Sequence, residues 1–155
     1  MLSHNCIPKI LCLSLLASSL YAFPRGCEVS GFGFNRNYLV LNDNNAQTLF
    51  MIQNTGEASI NFEHIDTRTD VFMSPKLESS LAPHMWSAFS SDIANFYFKC
   101  SVANNPVDCS TVLSVCQYPR AQFPLSNKGT YWIATNKEMS QVVNEATHKG
   151  IFLKW

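Results

Sequence analysis

The sequence predicts a mainly β fold: an antiparallel β-sandwich of immunoglobulin-like type with one or two short helices near the C-terminus, a β-barrel being the nearest competitor. Three observations predict it. Short apolar or alternating runs recur along the chain with Gly, Asn, Asp and Pro between them, as strands joined by turns require. Helical spacing is confined to two stretches late in the chain. Low charge with 12% aromatic residues supplies enough apolar surface for one packed domain and excludes a disordered tail.

The elements follow in order. From Glu28 to Phe34, Ser30, Phe32 and Phe34 share one face and Val29, Gly31 and Gly33 the other. Tyr38 to Leu41 and Thr48 to Gln53 are apolar runs separated by Asn42, Asp43, Asn44 and Asn45, and read as a hairpin. After a turn at Asn54-Thr55-Gly56, Ile60, Phe62 and His64 alternate with Ser59, Asn61 and Glu63, the pattern of a half-buried strand. Residues 66 to 94, with Pro75 and Pro83, predict short strands and a long loop. Alternation resumes from Asn95 to Val102, with Phe96, Phe98, Cys100 and Val102 facing in. Cys109 to Cys116 predicts a two-turn helix with Asp108 as N-cap and Val112 and Val115 buried. Tyr131 to Thr135 predicts a strand. Met139, Val142, Val143 and Ala146 form a helical stripe between a cap at Asn136 and a stop at Gly150. Ile151 to Trp155 closes the chain as a last strand.

The N-terminus has a different grammar. Lys9 is the only charge in the first 24 residues, and an apolar run from Ile10 to Leu20 leads to Tyr21-Ala22. This is the layout of a secretory signal peptide over 1–22, cleaved after Ala22, with residues 23–155 as a single sandwich domain. The run is about half the ~20 residues that a membrane-spanning helix needs, so no membrane span is expected in the mature protein. Without Lys9, ten basic groups stand against eleven acidic ones. Such a balance argues against nucleic acid as a partner, because phosphate binding needs a basic surplus.

Removing Cys6 and Cys12 with the leader leaves Cys27, Cys100, Cys109 and Cys116, an even number that reads as two disulfides in an oxidising compartment. Their spacings of 73, 9 and 7 are not those of a zinc site. If 109 to 116 is helical, its two cysteines stand ~10 Å apart along the axis, too far to bond. That leaves Cys27 with Cys116 and Cys100 with Cys109, or Cys27 with Cys109 and Cys100 with Cys116; the turn formers Asn104-Asn105-Pro106 favour the first.

No Gly-x-Ser-x-Gly elbow, Cys-x-x-Cys pair, phosphate loop or His-x-x-x-His pair is present, so the expectation is a protein that is not an enzyme and carries no cofactor. The most site-like set is His64, Met73, His84, Met85 and Trp86. Histidine and thioether are soft ligands that a copper carrier uses, and the long loop that bears several of these residues suits a partner or ligand surface. Trp86, Phe89, Tyr131, Trp132 and Trp155 could form a sugar platform, but such aromatics in a small sandwich are usually core.

The segments Ser30-Gly31-Phe32-Gly33-Phe34, Asp70-Val71-Phe72-Met73-Ser74-Pro75-Lys76-Leu77, Val115-Cys116-Gln117-Tyr118-Pro119-Arg120 and Gly129-Thr130-Tyr131-Trp132, with the ending Gly150-Ile151-Phe152-Leu153-Lys154-Trp155, resemble the enhanced entry protein B (EnhB) family of intracellular gammaproteobacteria such as Legionella and Coxiella. The resemblance spans most of the mature chain. It implies an exported periplasmic protein associated with entry into, or survival inside, host cells, a neighbouring gene for a large Sel1-repeat protein as the candidate partner, and no assigned catalytic residue. The resulting expectation is a periplasmic or secreted protein-interaction domain; the alternative is a periplasmic small-ligand or copper carrier.

Overall fold

A computed structural model describes residues 23–29, 32–35, 37–41, 47–65, 78–92, 96–119 and 121–154. The expected leader (1–22), the first part (66–77, with Met73) of the region expected to hold short strands and a long loop over 66–94, and Trp155 lie outside the described residues. Ten strands and two helices follow one another: β1 (Phe32–Asn35), β2 (Tyr38–Leu41), β3 (Thr48–Asn54), β4 (Ile60–Ile65), β5 (Glu78–Leu81), β6 (Trp86–Ser91), β7 (Phe96–Val102), β8 (Asn105–Val107), α1 (Cys109–Val112), β9 (Leu113–Tyr118), β10 (Tyr131–Lys137) and α2 (Met139–His148). A short 3-10 turn covers Leu125–Asn127. No helix among the described residues is long and apolar enough to cross a membrane.

The strands form two antiparallel sheets, one ordered β1-β2-β7-β4-β5 with β8 also on β7, the other β10-β6-β3-β9. The expected sandwich is therefore present. Its strand order departs from the A-B-E-D sheet of an immunoglobulin constant domain. Here both edges of the four-stranded sheet, β9 and β10, come from the C-terminal third of the chain. At the centre, β3 and β4 cross from one sheet to the other, as do β6 and β7, while β3 pairs β6 and β4 pairs β7. The two crossings interlock the sheets.

The molecule has three layers. Between the sheets lie Leu39, Leu41, Phe50, Ile52, Phe62, Phe89, Phe96 and Phe98. Phe98 meets Phe62, Phe89 and Phe96 at ring centroid distances of 6.2, 5.2 and 5.2 Å. A second core, with Leu49, Met51, Trp86, Ala88, Cys116, Tyr118 and Ile133, lies on the opposite face of the four-stranded sheet and is covered by Val142 and Ala146 of α2, by Ile151 and by Phe23. Every residue of β3 and β6 is buried, because both faces of these strands are covered. In β4 and β7, burial alternates with exposure, because one face is free.

Several expectations are corrected. β2 and β3 are not a hairpin: β2 pairs β1 and β7, while β3 belongs to the other sheet. Turn formers mark where the chain reverses and carry no information about which sheet it enters next. The helix expected over Cys109 to Cys116 is one turn only, capped by Asp108, whose carboxylate accepts from the Ser110 backbone N–H at 2.9 Å. From Leu113 the chain is strand β9, drawn out by the unpaired edge of β3. The turn after β7 falls at Ala103-Asn104, both at positive φ, so Asn105 and Pro106 belong to β8. Pro106 is tolerated because β8 is an edge strand. The first strand begins at Phe32, and Glu28 makes an isolated bridge to Gln117. At the far end, Phe152 makes only a bridge to Gln122.

Helix α2 matches its stripe, with Val142 and Ala146 buried, but it starts at Glu138, which forms a capping box with Gln141. Asn136, the expected cap, stands at φ 54° and accepts a 2.7 Å hydrogen bond from the Ala82 N–H, tying β10 to the other sheet. Gly150 stops the helix as expected. Its φ of 74° lets Ile151 N–H reach Ala146 O and Gly150 N–H reach Thr147 O, both at 2.9 Å.

Cys27 bonds Cys116 and Cys100 bonds Cys109, with Cα separations of 5.5 and 5.4 Å. Each bridge serves one core: Cys116 lies under the outer layer and Cys100 and Cys109 lie between the sheets. The first bridge pins the N-terminal segment to β9, where sequence reading had it meet a helix.

Asn54 is fully buried at the end of β3. Its amide donates to Ala58 O at 2.8 Å and Leu81 O at 2.9 Å, and its carbonyl accepts from Gly56 N–H at 2.8 Å. Its backbone N–H and C=O hold Met85 O and His84 N–H.

Two outcomes follow in chemical denaturation. Asn54→Ala loses about 3 kcal/mol, because buried carbonyls are left without donors, and Asn54→Asp loses more at neutral pH, since a carboxylate would face two carbonyl oxygens. Replacing Cys27 and Cys116 by Ala costs about 4.6 kcal/mol, and replacing Cys100 and Cys109 costs about 2.7, from loop lengths in the chain-entropy relation; equal losses would contradict that ranking.

Candidate functional site

The residues proposed from sequence do not assemble. His64 sits on β4 with its ring stacked on Phe96 at 3.9 Å and 15° between planes. His84 stands at φ 62° in the turn between β5 and β6, with Nε2 3.5 Å from the exposed Glu57 carboxylate. Ile60 pairs Leu81, so His84 lies beyond one end of β4, while His64 is four residues along towards the other, about 13 Å away by strand rise. Met85 is half-buried against the inter-sheet core. Trp86 is 5% exposed and meets Phe23 edge-on at 6.4 Å, which makes it core and not an open surface. Its place in the fully buried β6 is the reason. Met73 lies outside the described residues, and no group of three His, Cys, Asp or Glu among those described could hold a metal ion.

Of the other aromatics named as a sugar platform, Phe89, Tyr131 and Trp132 are structural, and Trp155 lies outside the described residues. Phe89 is fully buried, and Trp132 packs against Phe62, Phe89 and Phe98. Tyr131 donates its hydroxyl to Asn127 O. Burial pushes the Tyr118 phenol up to about 12 and also raises that of Tyr131, which keeps both neutral at ordinary pH.

Not announced by any local run is the outer face of the larger sheet, which none of the described residues covers. An open groove crosses it as two adjoining hollows, of about 450 and 350 Å³, that share Glu63, Ser101 and Asn104. Asn61, Ser79 and Ser80 line the first; Asn37, Tyr38, Lys99 and Pro106 line the second. The polar positions of two alternating strands build it: Asn61 and Glu63 from β4, Lys99 and Ser101 from β7. Lys99 Nζ lies 2.7 Å from Glu63 Oε2, both about half exposed. Tyr38 is 40% exposed at the rim. The site offers amides, hydroxyls, one satisfied ion pair and an aromatic ring. The alternation that betrayed it was visible as Asn61 and Glu63 opposite Phe62, but solvent-facing polar residues carry no signal of a shared groove until the strands are paired.

No protein-family model, curated protein or solved structure matches this chain.

A double-mutant cycle with Lys99→Ala and Glu63→Ala should return a coupling of about 0.2 to 1 kcal/mol, the range for a solvent-screened pair. A value above about 2 kcal/mol would mean that the groove is closed to water.

Proposed function

We propose that the protein is an exported recognition domain, not an enzyme, that acts by protein–protein contact during host-cell entry or in the envelope of its own cell. The pair of disulfides carries this reading. Both bonds need an oxidising compartment, and together they brace a sandwich whose free sheet face remains open. The signal-peptide pattern over 1–22 supports a periplasmic or secreted location, and the absence of a basic surplus supports recognition by shape and hydrogen bonding. The separation of His64 from His84 favours surface recognition over a shared ligand site. The likeness to the enhanced entry family supports a role at the host boundary and names a Sel1-repeat protein as the first partner to test.

The test is expression from the native locus with a C-terminal affinity tag. The expected outcome is a chain that begins at Phe23 by mass spectrometry, with no free thiol, and that co-purifies with a partner from the periplasmic fraction under mild conditions. A monomer without partner in both fraction and medium, or a reduced cytoplasmic protein, overturns the reading.

A further inference from the structure

The outer groove holds an ordered array of polar groups. Asn61 pairs Ser80 on one side and Ser101 on the other, so these three stand in a row across β5, β4 and β7. Two residues along, Glu63, Lys99 and Tyr38 form a second row across β4, β7 and β2. With strands about 4.8 Å apart and a rise of about 3.3 Å per residue, the array covers about 14 by 7 Å. Asn61, Ser80 and Lys99 are exposed.

The chemistry of the array limits what can occupy it. Each amide and hydroxyl offers both donor and acceptor capacity. Glu63 and Lys99 pair at 2.7 Å and Glu78 of β5 stands in register opposite Glu63, so the array has no basic surplus and disfavours an anion. The backbone groups of β4 and β7 are engaged in their ladders, so the floor of the groove offers an extended peptide no strand to pair with, and the sheet edges β5 and β8 lie at its rim. Tyr38 supplies a flat apolar face beside the donors. We infer that the groove binds a neutral oligosaccharide, one sugar ring lying on Tyr38 beside the Lys99–Glu63 pair and a neighbouring ring bonding through its hydroxyls to Asn61 and Ser101. The assignment goes beyond the protein-contact reading and does not require it. Cell-wall glycan and host glycoprotein glycan share this chemistry.

The experiment is an amide NMR titration of the full chain, exported and purified with both disulfides intact. One arm uses a β-1,4-linked N-acetylglucosamine tetramer as the cell-wall type, a second a neutral oligomannose as the host type, and a third a sulfated heparin tetrasaccharide. The expected result is saturable binding of one or both neutral sugars, with shifts at Asn61, Lys99 and Ser101. The arm that binds names the source. Tyr38→Ala and Asn61→Ala should each weaken binding about tenfold, about 1.4 kcal/mol, with thermal midpoints near the unsubstituted value because both side chains are exposed. If Tyr38→Ala fails to fold, Tyr38→Leu removes the ring while keeping bulk and carries the same expectation. No saturable shift with either neutral sugar, shifts that map away from the groove, unchanged affinity in the variants, or equal binding of the sulfated sugar overturns the assignment. Capture of a protein partner with no sugar binding would end this inference and leave the proposed function standing; sugar binding without a protein partner would do the reverse.

Discussion

The double burial of the four-stranded sheet is the constraint on which the rest of the structure depends. β3 and β6 present apolar or small side chains on both faces, so the larger sheet alone cannot satisfy them. A second cover is required. Helix α2, the segment around Ile151 and the N-terminal stretch from Phe23 supply it. With those segments committed to one side, the other sheet keeps its outer face free, and the strand positions that remain solvated there build the groove.

The covalent and polar ties follow the same division. Cys27 with Cys116 holds the N-terminal cover to the middle sheet, and Cys100 with Cys109 fastens β7 to α1 inside the sandwich. In the chain-entropy picture such bonds act mainly by restricting the unfolded chain, so the longer loop contributes more. Asn54 is the polar counterpart. It satisfies carbonyls of two other segments at the point where β3 leaves one sheet for the other, where no ladder could pair them. Asn136 ties β10 to the end of β5 in the opposite sense, its side-chain oxygen accepting from the Ala82 N–H. The sheets are therefore held together by packing along their length and by single amides at their crossings.

Much of this was legible in the residues. Alternation in 60–65 and 96–102 identified strands with one free face, and the stripe of Val142 and Ala146 with Gly150 marked the C-terminal helix. Of the two disulfide pairings left open, the turn formers after Cys100 favoured the observed one, although the helix that set Cys109 apart from Cys116 is a single turn. Other elements were not legible, for physical reasons. Cys109 to Cys116 has spacings that fit two helical turns or one turn and a strand, and only the open edge of β3 decides between them. Trp86 fitted both a core aromatic and the end of a partner-facing loop; its burial against Phe23, which is 63 positions earlier in the chain, makes it core. The polar groove residues Asn61, Ser101 and Tyr38 are ordinary solvated positions on three separate strands, and only pairing brings them into one array.

The sequence by itself determined fold class and periodicity: short runs between turn formers, and period-two or period-3.6 spacing, act over a few residues. It also determined the near-absence of net charge. The tertiary structure alone decided which strands share a sheet, which face of each is covered twice, and which polar side chains meet. Those choices rest on contacts between residues tens of positions apart, whose free energy depends on how the two sheets and the helix cover one another and is not written in any local run.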